Sequence, residues 1–159
     1  MPNWCHNRVT ISNNGENAKQ FSELINKFFE EKPFQAILPQ PDWKSTPNSK
    51  GELPIKQEMK NQNGEVVCVT YDFPDGKNDD RWYSWALDNW GTKWDACDLE
   101  ACCSKEEALE EEYVEFTFET AWSPPQGIYE QIRDEYEDVG ISWFYDEPGM
   151  EIAGYLSSE

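Results

Sequence analysis

The run YVEFTFETAW, residues 113–122, constrains the fold more than any other stretch of this chain. Val114, Phe116, Phe118, Thr120 and Trp122 occupy one side of a period-two pattern, and Glu115, Thr117 and Glu119 the other. Such alternation is a strand with one face on a core and one in water. The next residues, SPPQ, read as a helix start, with Ser123 as cap, Pro124 at the first helical position and Gln126 closing a capping box. Ile128, Ile132 and Tyr136 then recur at helical spacing, which predicts a helix to about Glu137.

A similar unit opens the chain. In WCHNRVTIS, residues 4–12, Cys5, Asn7, Val9 and Ile11 share one face, and Trp4, His6, Arg8 and Thr10 the other. After the turn NNGE, Ala18, Phe21, Leu24, Ile25, Phe28 and Phe29 form an apolar helical stripe over 16–31, ended by Lys32-Pro33. FQAILPQP reads as a short extended segment. From Asp42 to about Gly64 the chain turns polar, with Pro47, Gly51 and Pro54, and reads as an inserted loop or arm. EVVCVTYDF, 65–73, reads as a strand and PDGKNDD as a turn.

DRWYSWALDNW, 80–90, is a helix whose Trp82, Trp85, Ala86 and Trp90 share a face. Asp79 or Asp80 would cap it, and Gly91 suits its left-handed end. Residues 94–103 read as extended, SKEEALEEE as an acidic connection of about one helical turn, and ISWFYDE and MEIAGYL as strands joined at Pro148-Gly149. Without the insert and the last strand, this order is the split β-α-β pattern taken twice. The expected fold is therefore α+β: a ferredoxin-like plait, an antiparallel sheet with helices on one face. It carries an insertion at about 40–90 and an extra C-terminal strand, within a single domain spanning 1–159.

Five stretches, MPNWCHNRVTI, ILPQP, WALDNWGTKWDA, FTFETAWSPP and WFYDEPGMEIAGY, taken in this order resemble the YubB-like family, a ferredoxin-like domain family of bacteriophages and plasmids. The resemblance covers most of the chain and is weakest at 42–80. It implies a mobile-element protein in a bacterial cytoplasm, and it implies no settled activity. The acidity of residues 98–119 exceeds what the family pattern requires, and Cys102-Cys103 lies outside its motifs.

Charge narrows the function further. With 32 acidic and 13 basic residues the formal charge is −19, which opposes direct binding of a phosphate backbone. The five cysteines are odd in number, and MPNWCHNRVT lacks a secretory pattern, so reduced thiols in a cytoplasm are expected. No stretch has the length of a membrane-spanning helix. Cys97 and Cys102 are too widely spaced for a structural zinc pair, and Cys102 and Cys103 would point to opposite faces of a strand, so no metal is expected. The single histidine, His6, adjoins Cys5, but neighbouring strand residues face opposite ways and form no Cys-His couple. No Gly-rich phosphate loop is present and no pair of carboxylates is marked for acid-base work. The expectation is a protein that is not an enzyme and needs no cofactor.

Two site readings remain. The first is an acidic surface of Asp98, Glu100, Glu106, Glu107, Glu110, Glu111, Glu112, Glu115 and Glu119, with Asp134, Glu135, Glu137 and Asp138 from the last helix. Rows of carboxylates on a rigid plait can imitate a phosphate backbone and speed association with a basic cleft. The partner would be a host protein with a basic nucleic-acid-binding surface, inhibited in the manner of an anti-CRISPR or anti-restriction protein. The plain counterpart is a solvated acidic face that keeps the protein dispersed. The second is a small-ligand or nucleotide pocket lined by Trp4, Trp90, Lys93, Trp94 and Trp122, since bases stack on tryptophan.

Overall fold

The computed structural model describes residues 1–74 and 80–157. Its elements, in chain order, are β1 (Trp4–Asn13), α1 (Lys19–Phe28), α2 (Pro33–Ile37), β2 (Ile55–Lys60), β3 (Val66–Asp72), α3 (Arg81–Asn89), β4 (Cys97–Ala101), α4 (Lys105–Glu111), β5 (Tyr113–Ala121), α5 (Gln126–Glu135), β6 (Val139–Glu147) and β7 (Ile152–Tyr155). They fall into two compact units, residues 1–39 with 85–159, and residues 40–84.

The larger unit is an antiparallel five-stranded sheet in the order β4-β5-β1-β6-β7. β1 sits between the two strands that follow α4 and α5, so the two strand-helix units interleave as a ferredoxin-like plait, and β7 adds an outer strand. The alternation of β1 and β5 is realised in register: Cys5, Asn7, Val9 and Ile11 lie opposite Thr120, Phe118, Phe116 and Val114, all buried. α1 covers them with Phe21, Leu24, Ile25 and Phe28, and α5 with Ile128, Tyr129 and Ile132. Phe28 stacks on Phe116 at 4.9 Å, and Trp143 meets the edges of Phe118 and Tyr129.

One buried polar group is wired into this core. Asn7 donates to Thr120 Oγ1 at 2.9 Å and to the Cys5 carbonyl at 3.1 Å, and its Oδ1 accepts from Trp143 Nε1 at 2.9 Å. A buried amide left unpaired costs about 1–3 kcal/mol, so this arrangement fixes one rotamer of Trp143 and one register of β1.

Several local expectations are corrected. Lys32-Pro33 does not end α1, which stops at Phe28; Pro33 starts α2, so the first residues of FQAILPQP are helical rather than extended. α2 holds because the Asp95 carboxylate accepts from the Phe34 and Gln35 N–H groups, each at 2.9 Å. Ser123 does not cap α5: its hydroxyl donates to the Gly91 carbonyl at 2.6 Å, and Pro125 occupies the cap position. Trp122 leaves the core face because its φ of 70° turns the chain at the end of β5. The acidic connection is a full seven-residue helix, α4, capped by Ser104 on the Glu107 N–H.

The smaller unit holds β2 and β3 as a two-stranded antiparallel ribbon. The polar 42–64 stretch thus contains a strand. Alternation could not reveal β2, because all six of its residues are exposed. α3 begins in this unit and ends in the larger one, where Ala86 is buried and Gly91 takes its left-handed φ of 88°. Residues 75–79 of the expected PDGKNDD turn, and the proposed cap Asp79, lie outside the described residues.

Candidate functional site

The face of the sheet opposite the helices is built by the outward residues of each strand. Along β1 these are Trp4, His6, Arg8 and Thr10. Register places Glu119 and Asp146 on either side of His6, and Thr117 and Phe144 on either side of Arg8. Between β4 and β5 the pairing shifts by one residue, from Cys97↔Glu119 to Glu100↔Thr117, with Asp98 at a φ of 51°. An unshifted β4 would set Glu100 opposite the buried Phe116. The bulge turns Glu100 outward and lets Leu99 and Ala101 pack on the core instead.

The result is an open hollow of about 500 Å³ lined by Asp98, Glu100, Glu119 and Asp146 around His6, Arg8 and Phe144. His6 Nδ1 lies 3.0 Å from Glu119 Oε1. The Arg8 guanidinium stands 5.4 Å from the centre of the Phe144 ring, which packs edge-on to Tyr155 at 5.3 Å. Glu115 continues the outward row opposite Thr10. Four carboxylates therefore share one hollow with two side chains able to carry positive charge. Like charges on neighbouring strands repel, and an incoming ammonium or guanidinium group would relieve that repulsion.

The other acids expected in the site are placed elsewhere. α4 packs its Ala108 into the core beside α1, so Glu106, Glu107, Glu110 and Glu111 belong to the helical layer. Glu112 terminates α4 with a φ of 53° and accepts from the Asn13 side chain at 2.9 Å. The Asp138 N–H donates to Gln20, and its carbonyl accepts from the Asn14 N–H. Asp134 and Glu135 end α5, where Glu135 lies 3.6 Å from Lys27; Glu137 follows in the loop. Asp134 also lines a second hollow of about 570 Å³ with Gln126, Glu130, Tyr145, Tyr155 and Ser157.

The tryptophan set divides too. Trp4 and Trp94 approach to 6.2 Å, and Lys93 Nζ sits 4.2 Å over the Trp94 ring. Trp122 is half exposed, and its N–H bonds the Asn3 carbonyl beside them. Trp90 belongs to the core instead: it packs edge-on to Phe34 and Trp85 and donates to the Leu38 carbonyl at 2.8 Å. Trp4 stands two residues before His6 on the outward side of β1, so the aromatic cluster and the acidic hollow adjoin on one face.

The loop that carries Lys93 is welded to the start of α5. Thr92 donates to the Ala121 carbonyl, and the Gly127 N–H bonds the Trp90 carbonyl. A side chain at Gly127 would overlap the Asn89 carbonyl. The two tryptophan-containing motifs thus recognise each other, and their glycines allow the approach.

Residues 89–159 match the family model described as the ferredoxin-like domain in Api92-like protein. The match covers β4 to β7 and with them most of the acidic hollow. No curated protein and no solved structure matches the chain. No described helix is long and apolar enough to cross a membrane. Among the described residues no group of three or more His, Cys, Asp or Glu is arranged to hold a metal ion.

Two acids near the site, Asp146 and Glu147, carry no local signal in the sequence. Asp146 reaches the hollow only because β6 pairs beside β1. Asp95 is spent on α2; burial pushes its carboxyl above the ordinary range, against three backbone N–H bonds that pull it down. Glu147 is fully buried, one oxygen accepting from the Met150 N–H and the other without a hydrogen-bond partner among the described residues. Burial, with some help from the Glu147 charge, pushes the Cys5 thiol up to about 11, which keeps it protonated and unreactive.

Proposed function

We propose that this chain is a binding protein without catalytic activity, whose open sheet face docks on a basic surface of a partner protein. The observation that carries this reading is the hollow in which Asp98, Glu100, Glu119 and Asp146 converge, with His6 already held by Glu119 and the Arg8 guanidinium already over the Phe144 ring. A partner presenting lysine and arginine would meet fixed carboxylates on rigid strands, which favours fast, salt-sensitive association. The resemblance to mobile-element proteins supports a host nucleic-acid-processing or defence protein as that partner. Its basic cleft would then be blocked in the anti-restriction or anti-CRISPR manner, in a bacterial cytoplasm. The α4 glutamates contribute a general negative field from the helical layer.

Capture from host lysate at low salt tests this with two charge-reversed proteins. Asp98→Lys/Glu119→Lys/Asp146→Lys is expected to lose a captured basic protein, as is wild type in about 1 M salt, where charges are screened within about 3 Å. Glu106→Lys/Glu107→Lys/Glu110→Lys is expected to retain it. Capture that survives the open-face reversal overturns the face, and failure to capture any basic nucleic-acid-binding protein overturns the reading.

A second reading rests on Trp4, Trp94 and Lys93, an aromatic pair with a cation over one ring. A nucleotide stacking there would raise thermal stability by mass action. A nucleotide panel without any shift in Tm removes it.

A further inference from the structure

We propose that the β2–β3 ribbon is a self-association device, in which β3 of one copy pairs antiparallel with β3 of a second copy. The surface is independent of the acidic hollow. It starts from exposure: Ile55, Met59, Val66, Val67 and Val69 are all between 44% and 64% exposed, and Cys68 is exposed as well. A two-stranded hairpin alone is marginally stable in water, and three or more strands are needed to make a robust sheet.

The two edges of the ribbon differ. β2 carries Lys56, Glu58 and Lys60 at alternate positions, the charged guard that keeps an edge from pairing. β3 reads VVCVTYD and has no charge from Val66 to Tyr71. Among the described residues β3 pairs with β2 alone, so its other edge offers unpaired N–H and C=O groups. The strands at the edges of the large sheet lack this openness: β4 is bulged at Asp98 and flanked by acids, and β7 is four residues long.

Charge selects a second copy as the occupant. In an antiparallel β3 pair centred on Val69, Val66 of one copy lies opposite Asp72 of the other, and Val67 opposite Tyr71. Within one ribbon Val66 lies opposite Lys60, and Ile55 opposite Asp72. Each row at the ends of the pair therefore runs Ile55, Asp72, then Val66 and Lys60 of the second copy. The lysine can reach over valine to the aspartate, and symmetry supplies this contact twice. No like charges fall opposite each other across the new seam. The residue 40–84 unit also has six basic and eight acidic residues, against seven and 24 in the rest of the chain. It is the part of the molecule that a second copy can approach with least repulsion.

Sedimentation equilibrium of the full chain tests the proposal. Wild type is expected to shift with concentration from 18.6 kDa toward twice that mass, and Val67→Lys/Val69→Lys to remain at the single-chain mass with unchanged far-ultraviolet dichroism. In a Cys68→Ser/Val69→Cys protein, mild oxidation is expected to give a symmetric disulfide dimer, because position 69 faces itself across the axis. A wild type that stays monomeric up to about millimolar concentration overturns the proposal. So does a dimer indifferent to the lysine pair, which would place the contact elsewhere, and a lysine-sensitive dimer that forms no 69–69 disulfide overturns the register.

Discussion

The plait carries 24 acidic and seven basic residues around a closed apolar core, whereas the ribbon unit is nearly neutral and shows its apolar side chains to solvent. Each unit departs from the usual arrangement in one respect only. The plait is conventionally packed and unconventionally charged; the ribbon is conventionally charged and hardly packed. Stability in the first is internal, and its charge is available for recognition. In the second the apolar surface itself remains available. Under the two proposals above, each surface would be met without compromising the core between β1, β5, β6 and the helices.

The contrast is broken most severely in the core. Trp143→Ala is expected to lower the unfolding free energy of the plait by about 3–5 kcal/mol, because it empties a site ringed by Phe28, Phe118 and Tyr129 and strands the Asn7 oxygen. Chemical denaturation followed by tryptophan fluorescence measures it; a loss comparable to that of Val69→Ala in the ribbon would erase the distinction between the units. Asp95→Ala comes next, at about 1–3 kcal/mol, since it unpairs the first N–H groups of α2. Asp95→Asn, which keeps one acceptor oxygen, is expected to cost less in the same denaturation experiment.

Thiol reactivity sharpens the comparison. Iodoacetamide at pH 8 is expected to label exposed Cys68 in minutes and Cys5 only on unfolding, read by peptide mass spectrometry. The Cys5 proton is held more tightly in the fold than in the unfolded chain, where the ordinary value is 9.0. Its contribution to stability is therefore complete below pH 9 and is lost as pH rises toward about 11. A Cys5→Ala protein should flatten that part of the pH profile. The smallest effect lies in the ribbon: Val69→Ala, at a concentration where the chain is monomeric, is expected to change plait stability by less than about 0.5 kcal/mol.

How far the sequence discloses this architecture depends on where each residue finds its partner. Cys5, Asn7, Val9 and Ile11 are readable as a buried face because the signal is local and the partner face, Val114 to Thr120, alternates in the same way. Local rules fail where the partner is distant. α2 cannot be foreseen from PFQAI, since Asp95 lies 61 residues beyond Phe34. Ser123 looks like a cap until the Gly91 carbonyl, 32 residues earlier, claims its hydroxyl. β2 is invisible for another reason: with all its residues exposed, there is no buried face to imprint a pattern.

The site follows the same logic. The acid content was plain, but which acids share a surface depends on sheet order and on one bulge. Glu100 and Glu119 meet across β4 and β5, Asp146 joins from β6, and Glu106 to Glu111 leave with α4 because Ala108 anchors that helix to the core. Lys93, suggestive between two tryptophans, proves to stack on one of them while the other is buried.

The Asp95 clamp on α2 and the Trp90 indole bond to Leu38 have a consequence for how such a chain can be rebuilt. Both tie the stretch just before residue 40 to the stretch just after residue 84, wholly within the plait. They form a socket whose two rims are stitched together whatever hangs between them. Loop-closure entropy grows only slowly with length. The segment from 40 to 84 can therefore be shortened to a simple turn, or exchanged for a foreign module, while the sheet and its acidic face keep their shape.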